Sequence, residues 1–175
     1  MKRITILALV LLSVAAAGGF AYGGGGAFAG ASLPATDWTN TGLRIAYTGG
    51  YGYGVTGDGH RIGGFGVGIS TEDGRELGGF GGIINGQQVR IGPLTASLNT
   101  WIGIGGLSLP SGTPREFFGY FAEINGEIGL AVLPWFQVSG YVGMQAMGNL
   151  IPGDAFTGNA IYTPVSGIRL SWGSF

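Results

Sequence analysis

Two carboxylates, Glu123 and Glu127, are the residues of this chain whose pairing most suggests chemistry. Glycosidases work with two carboxyl groups about 5–9.5 Å apart across a cleft. Four residues apart on an extended strand, Glu123 and Glu127 are separated by about 13 Å. That spacing is too wide, and no cleft is implied. Gly52-x-Gly54-x-x-Gly57 matches the dinucleotide-binding fingerprint by letters. The fingerprint needs a following helix, whereas these glycines lie inside a strand-like alternation. With 39 glycines in 175 residues, such a match is expected by chance. His60 is the only histidine, and with Asp58 beside it and no cysteine in the chain it reads as a turn residue, not a metal ligand. No Ser-His-Asp set, phosphate loop or basic aromatic patch is present. The sequence therefore predicts no catalytic residue, no cofactor and no metal, and a protein that is not an enzyme.

The two glutamates acquire a different meaning from the element that carries them. From Phe117 to Pro134, Phe118, Tyr120, Ala122, Ile124, Ile128, Leu130 and Val132 occupy even positions, while Glu123, Asn125 and Glu127 occupy odd ones. A period of two marks a strand with one apolar and one polar face. An ordinary strand runs about 5–6 residues, and this alternation lasts nearly three times as long. A long strand with an oily outside and carboxylates on its inner face is what a transmembrane β-barrel uses.

Composition agrees. The chain is 45% hydrophobic and 12% aromatic, which excludes glycine-rich disorder. There is no strict Gly-X-Y period, which excludes collagen. Only 10% of residues are charged, and the formal net charge is −1. Without clustered Lys and Arg, a nucleic-acid partner is not expected. Cysteine is absent, so disulfides and thiolate metal sites are excluded. Lys2 and Arg3 precede an apolar run from Ile4 to about Ala17, then small residues. This order of charge, apolar core and small residues predicts a signal peptide within residues 1–21, cleaved after Ala17 or Ala21, followed by one barrel domain over 22–175. Beyond it, no apolar run reaches the roughly 20 residues of a membrane helix.

Seven further stretches read as strands: Gly24–Leu33, Leu43–Thr56, His60–Ser70, Leu77–Ile91, Leu94–Leu107, Trp135–Met147 and Ile161–Trp172. Asn85-Gly86 offers a hairpin turn inside the fourth, but one long strand ending at Gly92-Pro93 is preferred. Eight strands result. The connections after the first, fifth and seventh are long and polar. Those after the second, fourth and sixth are two or three residues, and Thr71–Arg75 is intermediate. Short turns at one end and longer loops at the other match the plan of outer-membrane barrels.

In this plan the chain resembles the small eight-stranded bacterial outer-membrane β-barrels, similar to the OmpA transmembrane domain, OmpX and OmpW. Ile168-Arg169-Leu170-Ser171-Trp172-Gly173-Ser174-Phe175 carries the most specific likeness. Such barrels end in an amphipathic strand with a terminal aromatic read by the barrel-assembly machinery, so Trp172 and Phe175 are the expected assembly signal. Ile168, Leu170 and Trp172 are out of phase with Phe175, and a bulge or bend at Gly173-Ser174 would restore the phase. The resemblance implies an antiparallel up-and-down transmembrane barrel in the outer membrane, a monomer with lipid around it.

If apolar faces point to lipid, the lumen receives Arg44, Glu76, Arg90, Glu123, Glu127 and Arg169, three of each sign. Unpaired buried charge is costly, so an internal ion-pair cluster is expected, with Glu127, Arg90 and Arg169 meeting near the inner ends of their strands. Tyr47, Phe118 and Tyr162 near the outer ends, and Trp135, Phe136 and Trp172 near the inner ends, are the expected aromatic belts. The main functional expectation is a non-enzymatic outer-membrane barrel with surface loops, structural, adhesive or binding a small apolar solute. One alternative is a soluble secreted or periplasmic barrel holding a small apolar ligand. Another is a narrow pore, which Trp101, Tyr141 and Arg169 on the polar faces would block.

Overall fold

The computed structural model describes residues 20–32, 45–71, 76–109, 115–150 and 161–175. All the described regular structure is β. The strands are β1 (Phe20–Ser32), β2 (Ile45–Thr56), β3 (His60–Thr71), β4 (Glu76–Ile91), β5 (Leu94–Leu109), β6 (Arg115–Leu133), β7 (Phe136–Asn149) and β8 (Ile161–Ser174). Each pairs antiparallel with its sequence neighbour, and β1 closes on β8 to make a barrel. Closure leaves no unpaired sheet edge. The expected fold class, an eight-stranded antiparallel up-and-down barrel, is the one observed.

Local sequence sets the ends of the strands. Between β2 and β3 the chain reverses through Gly57-Asp58-Gly59, with Gly59 at φ 86° and its N–H donating to Thr56 O at 2.9 Å. Positive φ is inexpensive only for glycine. Gly92, at φ 60°, does the same before Pro93 between β4 and β5. The Thr56 hydroxyl bonds Asp58, and the His60 N–H donates to the same carboxylate oxygen at 3.4 Å. These contacts hold the Asp58 carboxyl below its usual pKa, the Thr56 hydroxyl contributing most. β4 passes unbroken through Asn85-Gly86, so the single long strand is the observed one. Residues 1–19 lie outside the described residues, and the expected signal peptide with them. A cut after Ala17 would leave β1 whole, whereas a cut after Ala21 would remove its first two residues.

From β4 to β8 large aliphatic side chains face outward. Ile83, Ile91, Leu98, Ile102, Ile124, Ile128 and Val142 are all more than half exposed on the outside. Among the described residues, Arg61, Glu123, Glu127, Arg169 and eight Asn, Gln or Ser side chains are buried. On β6 the expected orientation holds throughout: Ile124, Ile128 and Leu130 face out and Glu123, Asn125 and Glu127 face in.

On β2 and β3 the expected orientation is reversed. Ile45, Tyr47, Tyr51, Tyr53 and Val55 of β2, and Phe65, Val67 and Ile69 of β3, point into the barrel. Their outward faces are Thr48, Gly50, Gly52, Gly66 and Gly68. The physical reason is volume. The lumen must be filled to interior density, and the small inward residues elsewhere leave room that these rings occupy. Gly49 faces Phe28 and Gly167 faces Tyr141: a Cβ at either would come within 2.7 Å of the ring. The outer surface is consequently uneven, smooth over β1–β3 and studded with large aliphatic side chains from β4 to β8.

Candidate functional site

The buried charges form one layer across the middle of the lumen. Glu127 of β6 is its centre. Its Oε2 accepts from Arg61 Nη1 of β3 at 2.9 Å and from Arg169 Nη1 of β8 at 2.6 Å. Its Oε1 accepts from the Ser139 hydroxyl of β7 at 2.6 Å. Asn99 of β5 donates to Asn125 Oδ1 at 3.1 Å, and Asn125 donates to Glu123 Oε1 at 2.6 Å. Arg169 Nη2 lies 3.7 Å from that same glutamate oxygen. Five strands thus contribute to one hydrogen-bonded group.

Each guanidinium is also held by aromatic faces. Arg61 lies 3.7 Å above the Tyr53 ring. Arg169 lies 4.0 Å from Tyr141 and 4.4 Å from Trp101. Arg61 Nε and Nη2 and Arg169 Nε have no hydrogen-bond acceptor, and the aromatic faces provide the negative potential those N–H groups lack. The layer carries two positive and two negative side chains among the described residues. Such balance is what makes buried charge tolerable.

Above this layer, toward the long connections, the lumen is aromatic and aliphatic. Trp101 meets Phe28 edge-on at 5.3 Å and Phe65 at 4.8 Å, and Phe121 joins Phe65 to Phe80. Ile45, Ile69, Leu77, Leu107, Met147 and Val165 fill the rest of that half. Below the layer, Gln137 bonds Thr95, and Tyr22 and Phe175 pack against the interior cluster. Trp101, Arg61 and Arg169 are each 1% exposed, so side chains occupy the cross-section where a channel would run. The described residues contain no group of three or more His, Asp and Glu able to hold a metal.

The expected charge cluster is met in part. Glu123, Glu127 and Arg169, expected on the inner faces of their strands, come together there. Arg90 does not join them. It lies exposed at the short-turn mouth and donates from Nε to Gly92 O at 3.0 Å. Its place four residues from the β4–β5 turn's far side puts it at the rim, where water solvates it at no cost. Arg44 lies outside the described residues. Glu76 opens β4 opposite Ser70, and its side chain is likewise outside the description.

Sequence reasoning missed Arg61, which provides the second cation in place of Arg90. A signal was available. Arg61 shares its parity with Phe65, Val67 and Ile69, so that face of β3 could not be turned wholly to lipid without turning a charge to lipid with it.

The aromatic positions divide. Trp135, Phe136 and Trp172 cluster at the short-turn end, with ring centroids 5.9 and 5.6 Å apart. Phe118 and Tyr162 are exposed at the opposite end. Tyr47 is corrected: it is 3% exposed and points inward, because β2 turns its large face to the lumen. At the C-terminus, β8 keeps regular register with β1 through Ser174↔Gly23, with no bulge at Gly173-Ser174. Phe175 therefore keeps its inward phase and packs against the interior while Trp172 faces out.

Comparison with known proteins finds no matching family model, no matching curated protein and no matching solved structure. The functional reading consequently rests on the geometry of the barrel itself.

Proposed function

We propose that this protein is an integral outer-membrane β-barrel whose lumen is sealed, and that it acts without enzymatic chemistry through the connections at its wide-loop end. One observation carries the reading: large aliphatic side chains cover the outside from β4 to β8 while an ion-pair layer fills the inside. In water this arrangement would expose a continuous apolar surface far beyond the few hundred Å² usual on a soluble monomer. In a bilayer each side chain is in its preferred medium.

The dimensions support it. On β8, Tyr162 and Trp172 are ten residues apart and both face outward. Ten residues span about 33 Å along a strand, and a tilt of about 35–45° reduces this to about 23–27 Å of height. The apolar band of outer-membrane barrels is about 25 Å tall, with aromatic girdles at both edges. The expected signal peptide fits export. The partner is then the lipid of the outer membrane around a monomer.

A soluble barrel with an apolar ligand would reverse both faces, and its cavity would be where the Arg61–Glu127–Arg169 layer lies. A narrow pore would require the same layer to part. The test is fractionation of expressing cells followed by electrophoresis with and without boiling. The expected result is recovery with outer membranes and faster migration of the unboiled, folded barrel. Recovery in the soluble periplasmic fraction would sink the proposal.

A further inference from the structure

At the upper edge of the ion-pair layer, one register row crosses four strands: Trp101 of β5, Glu123 of β6, Gln145 of β7 and Thr163 of β8. All four side chains are buried in the lumen. Gln145 is 1% exposed, yet neither its Oε1 nor its Nε2 has a hydrogen-bond partner in the protein. The Tyr47 hydroxyl lies within reach of both Gln145 and Ser32, without the full distance and alignment of a hydrogen bond to either. The contacts of Glu123 to Asn125 and Arg169 both fall on its Oε1.

An amide with two unsatisfied atoms is expensive in such a place. A buried polar group left unpaired costs about 1–3 kcal/mol, and buried amides in folded proteins are nearly always bonded to protein or to ordered water. The unpaired arginine nitrogens of the layer below are accounted for by the rings they face. Gln145 and Tyr47 have no such ring contact. They offer a donor, an acceptor and a hydroxyl that can serve as either, beside a carboxylate.

We infer that the Tyr47–Glu123–Gln145 niche is a binding site for ordered water inside the barrel. A buried water takes two to four polar partners. Here it accepts from Gln145 Nε2, donates to the Glu123 carboxylate, and exchanges a bond with Tyr47 Oη. A second molecule on Gln145 Oε1 completes the amide. Water fits better than an anion, because Glu123 borders the niche. It fits better than a cation, because the Arg169 guanidinium already stands beside Glu123. The site extends the hydrogen-bonded group upward from Glu127 to the base of the apolar plug. The interior is then hydrated at one level without an open water column.

Long-lived interior water is read by water–protein NOE and ROE spectra of the folded, isotopically labelled barrel in micelles. The expected result is a cross-peak between the Gln145 side-chain amide protons and a water that resides longer than bulk solvent. Gln145→Met supplies a second reading, since it keeps length and removes both polar atoms. With water bound, the variant strands Tyr47 and Glu123, and its unfolding midpoint falls by about 2–4 °C, the shift of one net hydrogen bond in a domain of this size. A dry niche would instead make the variant more stable, because two unpaired atoms vanish. Either the missing cross-peak in the folded protein or a raised midpoint in Gln145→Met overturns the inference.

Discussion

At the scale of single residues, Glu127 governs the interior. Both buried guanidinium groups share its Oε2, so removing any member leaves an uncompensated charge in a dry place. Breaking one side of a buried pair typically costs about 3–5 kcal/mol. Arg61→Met should therefore lower the stability of the refolded barrel by that order, measured by urea unfolding in micelles or vesicles. Arg90→Ala, at the solvated mouth, should change it by less than about 0.5 kcal/mol. Equal effects from the two substitutions would show that the layer is not the structural centre.

The glutamates were legible because Glu123 and Glu127 stand on the polar face of a long strand whose other face is apolar, and Arg169 because it does the same on β8. Arg61 was not, because it stands on the aromatic face of its strand. Parity gives the two faces of a strand but not which of them turns inward. Tyr47 was misplaced for the same reason.

At the scale of elements, β6 was the strand most fully readable. Its outer face is apolar and, apart from Ala122 and Gly126, large, and its inner face bears the acids. β2 and β3 were not readable by hydrophobicity alone. One of their faces is bulky and the other nearly bare glycine, and the bulky one was needed to fill the lumen. Two substitutions separate these roles. Ile128 of β6 is 70% exposed on the outside at mid-strand. Ile128→Arg should cost about 2–4 kcal/mol in a bilayer, whereas in a water-facing position it would be close to neutral. Gly167 of β8 faces the Tyr141 ring that covers Arg169. Gly167→Val should displace that ring and cost about 1–3 kcal/mol as overpacking, with a loss of near-ultraviolet circular dichroism from the aromatic interior. An unchanged spectrum would show that the ring does not depend on the glycine.

At the scale of the whole molecule, alternating connection lengths and eight alternating runs sufficed to give the closed barrel before any contact was known. What they left open was the filling of the lumen, which depends on side chains from opposite walls meeting. That filling has a consequence for transport. With Trp101, Arg61 and Arg169 packed across the middle, the barrel should give no steady ionic conductance in a planar bilayer. Stable single-channel steps from the purified protein would contradict a sealed interior.

The absence of cysteine allows the central claim to be probed one site at a time. Ile128→Cys, Ile102→Cys and Val142→Cys, each carrying a nitroxide label in lipid vesicles, report what the outer wall touches. Spin relaxation should show high exposure to oxygen, which concentrates in the bilayer, and low exposure to a water-soluble nickel chelate. Ser139→Cys, buried beside Glu127, should be shielded from both. Labels at 102, 128 and 142 that meet the nickel chelate more than oxygen would mean that water, not lipid, surrounds the barrel.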